Sequence, residues 1–230
     1  MRIAVIGAGR VGKSLGMALR AKRHQIVYGV REPQAPGECI AKSVDAAIVG
    51  SEVVILATPW TETEALICEH APALAGKIVI DATNPLNASA TRLALGFDSS
   101  GVELLQSHVH GATFFKAFNA AGVEVIAKPQ FPQGRAAMFV AGPKGAEKEM
   151  VLSLVSDVGF EPVDAGELRA ARLLEPLGML QLQLERCGCA RDVAFLFASR
   201  ALNQPEGAQP CALVEAEAQE AGYAPKTHVT

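Results

Sequence analysis

The feature that most constrains this chain is its start. Arg2-Ile3-Ala4-Val5-Ile6 is a short apolar run of strand type, and it stops at Gly7-Ala8-Gly9-Arg10-Val11-Gly12 with no spare residue between. A helical pattern follows at once in Lys13-Ser14-Leu15-Gly16-Met17-Ala18-Leu19. Strand, G-x-G-x-x-G turn and helix in this order form a dinucleotide seat. Gly7 permits the tight turn, Gly9 lets the backbone approach a pyrophosphate, and Gly12 lets the helix pack close to the sheet. The first amides of such a helix lack intrahelical partners and carry partial positive charge, which suits a phosphate. A plain strand-to-helix turn with three incidental glycines is the bland alternative.

The second strand reads as Gln25-Ile26-Val27-Tyr28-Gly29-Val30, ending at Arg31-Glu32-Pro33. The residue just past this strand faces the adenine ribose. A carboxylate there accepts from the ribose hydroxyls, whereas an arginine pairs with a 2′-phosphate. With Val30 as the last residue in register, Arg31 takes that position and NADP(H) is the expected nucleotide. If the strand runs one residue further, Glu32 takes the ribose and NAD is preferred.

Composition narrows the remaining classes. Of the 230 residues 50% are hydrophobic, enough for a substantial core, and the formal charge of -3 gives no electrostatic case for nucleic acid or an anionic membrane surface. No basic, apolar leader and no membrane-spanning run is recognised, so the cytosol is the expected compartment. Cys39, Cys68, Cys187, Cys189 and Cys211 form no C-x-x-C pair and no zinc spacing, and read as reduced thiols. The five histidines make no metal constellation.

A strand-helix rhythm runs on from there. Ser43 to Val49 reads as a short helix, Val53 to Ala57 as a buried strand, Glu62 to Leu74 as a helix, and Lys77 to Asp81 as the next strand. A further short element is expected between Val109 and Phe118. The alternation predicts an α/β fold, a doubly wound, mostly parallel sheet of Rossmann type. Ala136–Gly142 and Phe160–Asp164 read as strands around a helix over Ala146–Val158, extending the sheet at its edge. From Leu168 the pattern turns helical. Leu173, Leu177, Leu180 and Leu184 make one apolar stripe, and Pro176 inside it predicts a kink or two abutting helices. Asp192 to Leu202 reads as another helix, and Cys211 to Ala221 as a marginal one in a Gln-, Pro- and Glu-rich tail. The expected organisation is a nucleotide-binding domain over 1–165 and a small helical C-terminal segment over 166–230.

Ligands of an open parallel sheet lie beyond the carboxyl ends of its strands. Besides the glycine turn, two ends therefore matter: Thr58-Pro59-Trp60 and Thr83-Asn84-Pro85. Thr58 and Asn84 offer short polar groups to the nicotinamide half, while Pro59 and Pro85 stiffen the loops. Trp60 would flank a ring or simply fill space. Lys116 is a candidate partner for an anionic cofactor or substrate. His108 and His110 are candidate proton donors, although solvated histidines beside a Phe114, Phe115 and Phe118 core are the favoured reading. No Ser-His-Asp order, paired-carboxylate spacing or catalytic lysine motif announces itself. Direct hydride transfer between bound rings fits that, because it needs alignment and dryness more than a strong acid or base.

Taken together, Gly7–Gly12, Arg31, Ala57-Thr58-Pro59-Trp60, Asp81-Ala82-Thr83-Asn84-Pro85, Lys116-Ala117-Phe118-Asn119 and the run from Pro162 to Leu177 resemble the NADP oxidoreductases similar to coenzyme F420-dependent NADP reductase. Arg191-Asp192-Val193-Ala194-Phe195 resembles the family's closing helix. The resemblance implies an NADP-binding domain with a small helical part, usually a homodimer. It implies Thr58 and Pro59 on the nicotinamide side, Arg31 on the 2′-phosphate, and a deazaflavin (coenzyme F420) or flavin as partner of NADP(H). The serine the family often carries before that arginine is Val30 here. Two other readings stand beside it: an imine or ketone reductase on the same scaffold, and a non-catalytic NADPH sensor.

Overall fold

The computed structural model describes residues 1–32, 41–188 and 191–199. The chain divides into two compact units, Met1–Phe197 and Ala198–Thr230, and every described strand and helix belongs to the first. The tail helix expected at Cys211–Ala221, and Cys39, Cys189 and Cys211, lie outside the described residues.

The elements run in this order: β1 (Arg2–Ile6), α1 (Arg10–Ala21), β2 (Gln25–Gly29), β3 (Ala41–Lys42), α2 (Val44–Val49), β4 (Val53–Leu56), α3 (Trp60–Leu74), β5 (Ile78–Asp81), α4 (Gly101–Ser107) and β6 (Thr113–Lys116). Then come α5 (Val123–Ala127), the short hairpin β7 (Gln130–Phe131) and β8 (Gly134–Arg135), β9 (Ala137–Val140), α6 (Ala146–Val158), β10 (Glu161–Asp164) and α7 (Ala171–Arg186). Six strands form one parallel sheet in the order β3-β2-β1-β4-β5-β6. This is the doubly wound Rossmann arrangement, and its strand order reverses between β1 and β4.

Side chains alternate across a strand with period two, and the core shows it. Ile3, Val5, Val53, Ile55, Ile78, Ile80 and Phe115 point to one face, where Leu15 and Leu19 of α1 and Val151 and Leu154 of α6 cover them. Ala4, Ile6, Val54, Leu56, Val79 and Phe114 point to the other, under Ile48 of α2, Ile67 of α3 and Leu105 of α4. Burial on both faces is why these strands are continuous apolar runs in the sequence.

Strands β9 and β10 pair parallel with each other and do not continue the large sheet strand by strand. One antiparallel bridge, Lys116 to Ala141, joins them to β6. One expectation fails beyond this point. The described residues 192–199 form no helix, and the Phe195 carbonyl accepts from the Ala137 amide at 2.8 Å. Pro176 lies inside a single helix, so of the two alternatives read there the abutting pair is not formed. The leucine stripe is also turned around. Ala171, Leu174, Glu175, Gly178 and Gln181 are the buried face of α7, while Leu173 and Leu180 are 68% and 46% exposed.

Candidate functional site

Gly7 sits where β1 leaves the sheet, with φ at +102°, a conformation costly for any residue with a Cβ. A Cβ there would lie 2.5 Å from the Ala57 carbonyl oxygen at the end of β4. The turn is thus pressed against the point of strand-order reversal. A Cβ on Gly12 would collide with the Gly7 carbonyl oxygen, so α1 docks on its own entry loop. A Cβ on Gly9 would meet nothing within 4 Å: the loop's crest faces open space. Gly9 is also the N-cap of the 12-residue α1 and brings no side chain to its amides. Open space above uncapped amides at the reversal point is a seat shaped for a diphosphate, so the residues present fit a dinucleotide. Ala8 and Val11 are half-buried against the core beside this loop, and Arg10 reaches sideways to Glu124 at 2.8 Å.

The other strand ends are held more tightly than the sequence suggests. Thr58 lies against Gly7, its Cγ2 3.2 Å from where a Cβ would stand, and its hydroxyl shares a 2.9 Å hydrogen bond with Thr63. Pro59 is the exposed N-cap of α3. Trp60 opens that helix, and its ring packs on the start of α4: a Cβ on Gly101 would lie 2.9 Å from Cζ3. Pro85 is buried behind Asn84. Asn84 Nδ2 donates to the Asn119 carbonyl at 2.7 Å, and its Oδ1 accepts from Asn119 Nδ2 at 2.9 Å. Asn119 Nδ2 also donates to the Leu174 carbonyl of α7 at 2.7 Å. Gly178 lets the helix lie directly on this amide pair, since its Cβ would be 2.6 Å from Asn84 Oδ1.

Lys116 does not face a ligand. It is fully buried, and its Nζ donates to Asp81 Oδ2 at 2.8 Å, the Thr83 carbonyl at 2.7 Å and Glu175 Oε1 at 2.8 Å. Burial alone would lower its pKa, but the charges and hydrogen bonds of Asp81 and Glu175 outweigh this and hold it above the ordinary lysine value. Glu175 Oε2 also accepts from the Gly101 amide at 2.9 Å. One buried ammonium thus ties the ends of β5 and β6 to α7 and, through Glu175, to α4. Glu175 lies in the Pro162–Leu177 run that carries the family resemblance, but nothing local to it in the sequence points to this contact with Lys116. His108 is half-buried and pairs with Glu64 at 3.1 Å, His110 is exposed, and Phe114, Phe115 and Phe118 are core.

Two hollows flank this framework. One, of about 410 Å³, lies between the glycine loop and α7 and is lined by Arg10, Val11, Asn84, Gly178, Gln181 and Arg191, among others. The second, of about 400 Å³, lies past the end of β2, where Val30, Arg31 and Ser43 meet. The structure therefore brings Arg10, Val11 and Asn84 to one hollow and Arg31 to another, with the glycine loop beside the first. It sets Trp60 on α4.

Residues 2–85 match the family model described as NADP oxidoreductase, coenzyme F420-dependent. That match covers less than half of the chain. Over 90% of its length the chain is 26% identical to the F420-dependent NADP reductase of Methanothermobacter marburgensis, all of which is covered. A solved Arthrobacter sp. FB24 structure, provisionally named an F420 dependent NADP-reductase, has a TM-score of 0.78 and 28% identity over 86% of this chain and 100% of its own. The rat metalloreductase STEAP3 is 28% identical over 78% of this chain, which spans 37% of that protein's length. Among the described residues no helix is long and apolar enough to cross a membrane.

Proposed function

We propose that this F420-dependent NADP oxidoreductase relative binds NADPH at the Gly7–Gly12 turn and passes its hydride to a second bound ring, a deazaflavin or a flavin. The observation carrying this is the roughly 410 Å³ hollow that opens from the phosphate loop and is closed on its far side by α7. A nucleotide would be held by the Gly7–Gly12 loop, with Thr58, Pro59, Trp60, Asn84 and Pro85 serving its nicotinamide half. When bound, NADPH would supply a hydride, which with a proton from solvent balances two-electron reduction of the acceptor ring. The protein's share is alignment. Asn84 is fixed by Asn119, and Glu175 with Lys116 fixes α7, so the hollow's walls are set before anything binds. Arg31 takes the 2′-phosphate. We read the molecule as a cytosolic homodimer in which a second copy covers Leu173 and Leu180.

Turnover decides this. NADPH oxidation is followed with coenzyme F420, flavin mononucleotide and ferric chelates as separate acceptors. Reduction of either ring cofactor supports the reading; nucleotide binding without turnover on any of the three refutes it in favour of a sensor. Arg31→Glu should weaken NADPH and spare NADH, and equal loss of both would remove Arg31 from the 2′-phosphate.

A further inference from the structure

Arg31 already has a partner within the chain. Its Nη2 lies 2.9 Å from Glu62 Oε2, in the first turn of α3. Both side chains are well exposed, at 72% and 44%, so the pair is loosely held and exchangeable. Beside it, β3 brings a hydroxyl that carries no signal in the sequence. Gly29 pairs with Lys42, and the Val30 amide donates to the Lys42 carbonyl at 3.0 Å, so the next residue, Ser43, comes to the same hollow as Arg31. Ser43 stands at the N-cap position of α2, yet its side chain makes no hydrogen bond to that helix. It is exposed. The hollow's remaining charged groups are engaged with each other: His70 Nδ1 lies 2.7 Å from Asp45 and its Nε2 3.9 Å from Glu69.

We propose that Glu62 is an internal stand-in for the nucleotide's 2′-phosphate, which must displace it from Arg31, and that Ser43 supplies the second phosphate contact. The inference rests on the assignment of Arg31 under the proposed function. Chemically, a carboxylate and a phosphate make the same bidentate demand on a guanidinium. Glu62 therefore lowers NADPH affinity twice over, by occupying Arg31 and by repelling the incoming dianion. NADH meets neither effect, because it ends in a ribose hydroxyl there. Ser43 offers from β3 the hydroxyl that Val30 cannot offer from β2. The arrangement makes the preference for NADPH over NADH adjustable at a residue that touches neither nucleotide.

The test is calorimetric titration of the full chain with NADPH and with NADH. Glu62→Gln should bind NADPH about three- to fivefold more tightly, the upper part of what an exposed ion pair and its repulsion supply. The gain should shrink at high salt. Ser43→Ala should bind NADPH about tenfold more weakly, as for one lost hydrogen bond to a charged group. NADH affinity should be unchanged in both. An unchanged NADPH affinity in Glu62→Gln, or an equal gain for NADH, overturns the role of Glu62. An unchanged Ser43→Ala overturns the second contact. Arg31→Ala separates the stand-in from the assignment beneath it. If it abolishes the NADPH preference while Glu62→Gln has no effect, this inference fails and Arg31 keeps its role. If the ratio of NADPH to NADH affinity survives Arg31→Ala, the assignment of Arg31 fails and this inference with it.

Discussion

Replacing Lys116 by Met should be the most damaging single change among the polar groups of this framework. The methionine keeps much of the lysine's length and apolar volume but removes three hydrogen bonds of 2.7–2.8 Å, to Asp81, the Thr83 carbonyl and Glu175. Asp81 and Glu175 are 0% and 3% exposed at their side chains, so two carboxylates are left facing each other in the interior. Breaking a buried pair by removing one partner costs about 3–5 kcal/mol. At about 2–4 °C per kcal/mol for a body of this size, a loss of about 4 kcal/mol lowers the melting temperature by about 8–16 °C. Urea denaturation monitored by circular dichroism measures the free energy, and a thermal scan checks the midpoint.

The pH dependence has a definite sign. In the native protein Lys116 is raised above its ordinary value, so its contribution is complete below the unfolded lysine pKa of about 10.4 and fades only as pH rises through the folded value. In Lys116→Met two buried carboxyls lose their counter-charge. The deficit should therefore be present across neutral pH and close only as pH rises through the folded lysine value, where the native ammonium is lost as well. Adding Glu175→Gln to Lys116→Met should recover part of the loss. A deficit under about 1 kcal/mol at neutral pH would refute the idea that this triad joins α7 to the sheet.

The same packing sets two further outcomes. Gly178→Ala places a methyl 2.6 Å from Asn84 Oδ1 and should cost about 1–3 kcal/mol through overpacking, with a weaker grip of acceptor in the hollow below α7; urea midpoints and acceptor KM values check it. Glu103 is held below the usual carboxylate range mainly by the Arg172 guanidinium, at 2.8 Å and 2.9 Å, so the pair's small contribution is present above the unfolded glutamate pKa and lost as pH falls through the folded one. Arg172→Ala should accordingly lower the melting temperature only slightly at neutral pH and not at all in acid, read across a pH series.

Much of the large sheet was legible in the sequence because both its faces are buried. β1 falls at Arg2–Ile6 as read, and β2, β4 and β5 end within one residue of expectation, since an apolar run bounded by a turn leaves little choice. The glycine turn was legible because Gly7 and Gly12 have geometric reasons to be glycine. Other features had no local signal. Asp81 and Glu175 lie 35 and 59 residues from Lys116, and the three form a unit only once β5, β6 and α7 are assembled. The face of α7 was misread because helices usually bury leucines, whereas this one buries Gly178, Glu175 and Gln181 to reach an amide pair and an ammonium. Asp192–Leu202 has helical periodicity, but its described part gives its backbone to the Ala137 amide and the Gln181 side chain instead. Asn84 was read as a polar group facing ligand; in place, its amide is already engaged by Asn119, and it shapes the wall.

Every functional proposal depends on the Gly7–Gly12 loop seating the diphosphate of NADPH over the first amides of α1. Nuclear magnetic resonance of the amide-labelled chain during NADPH titration reads that seat residue by residue. The backbone amides of Gly9, Arg10, Val11 and Gly12 should shift most and saturate together, with Arg31 shifting for NADPH but much less for NADH. Saturable binding that leaves those four amides unmoved, or no binding of either nucleotide, would show that the loop is not the seat.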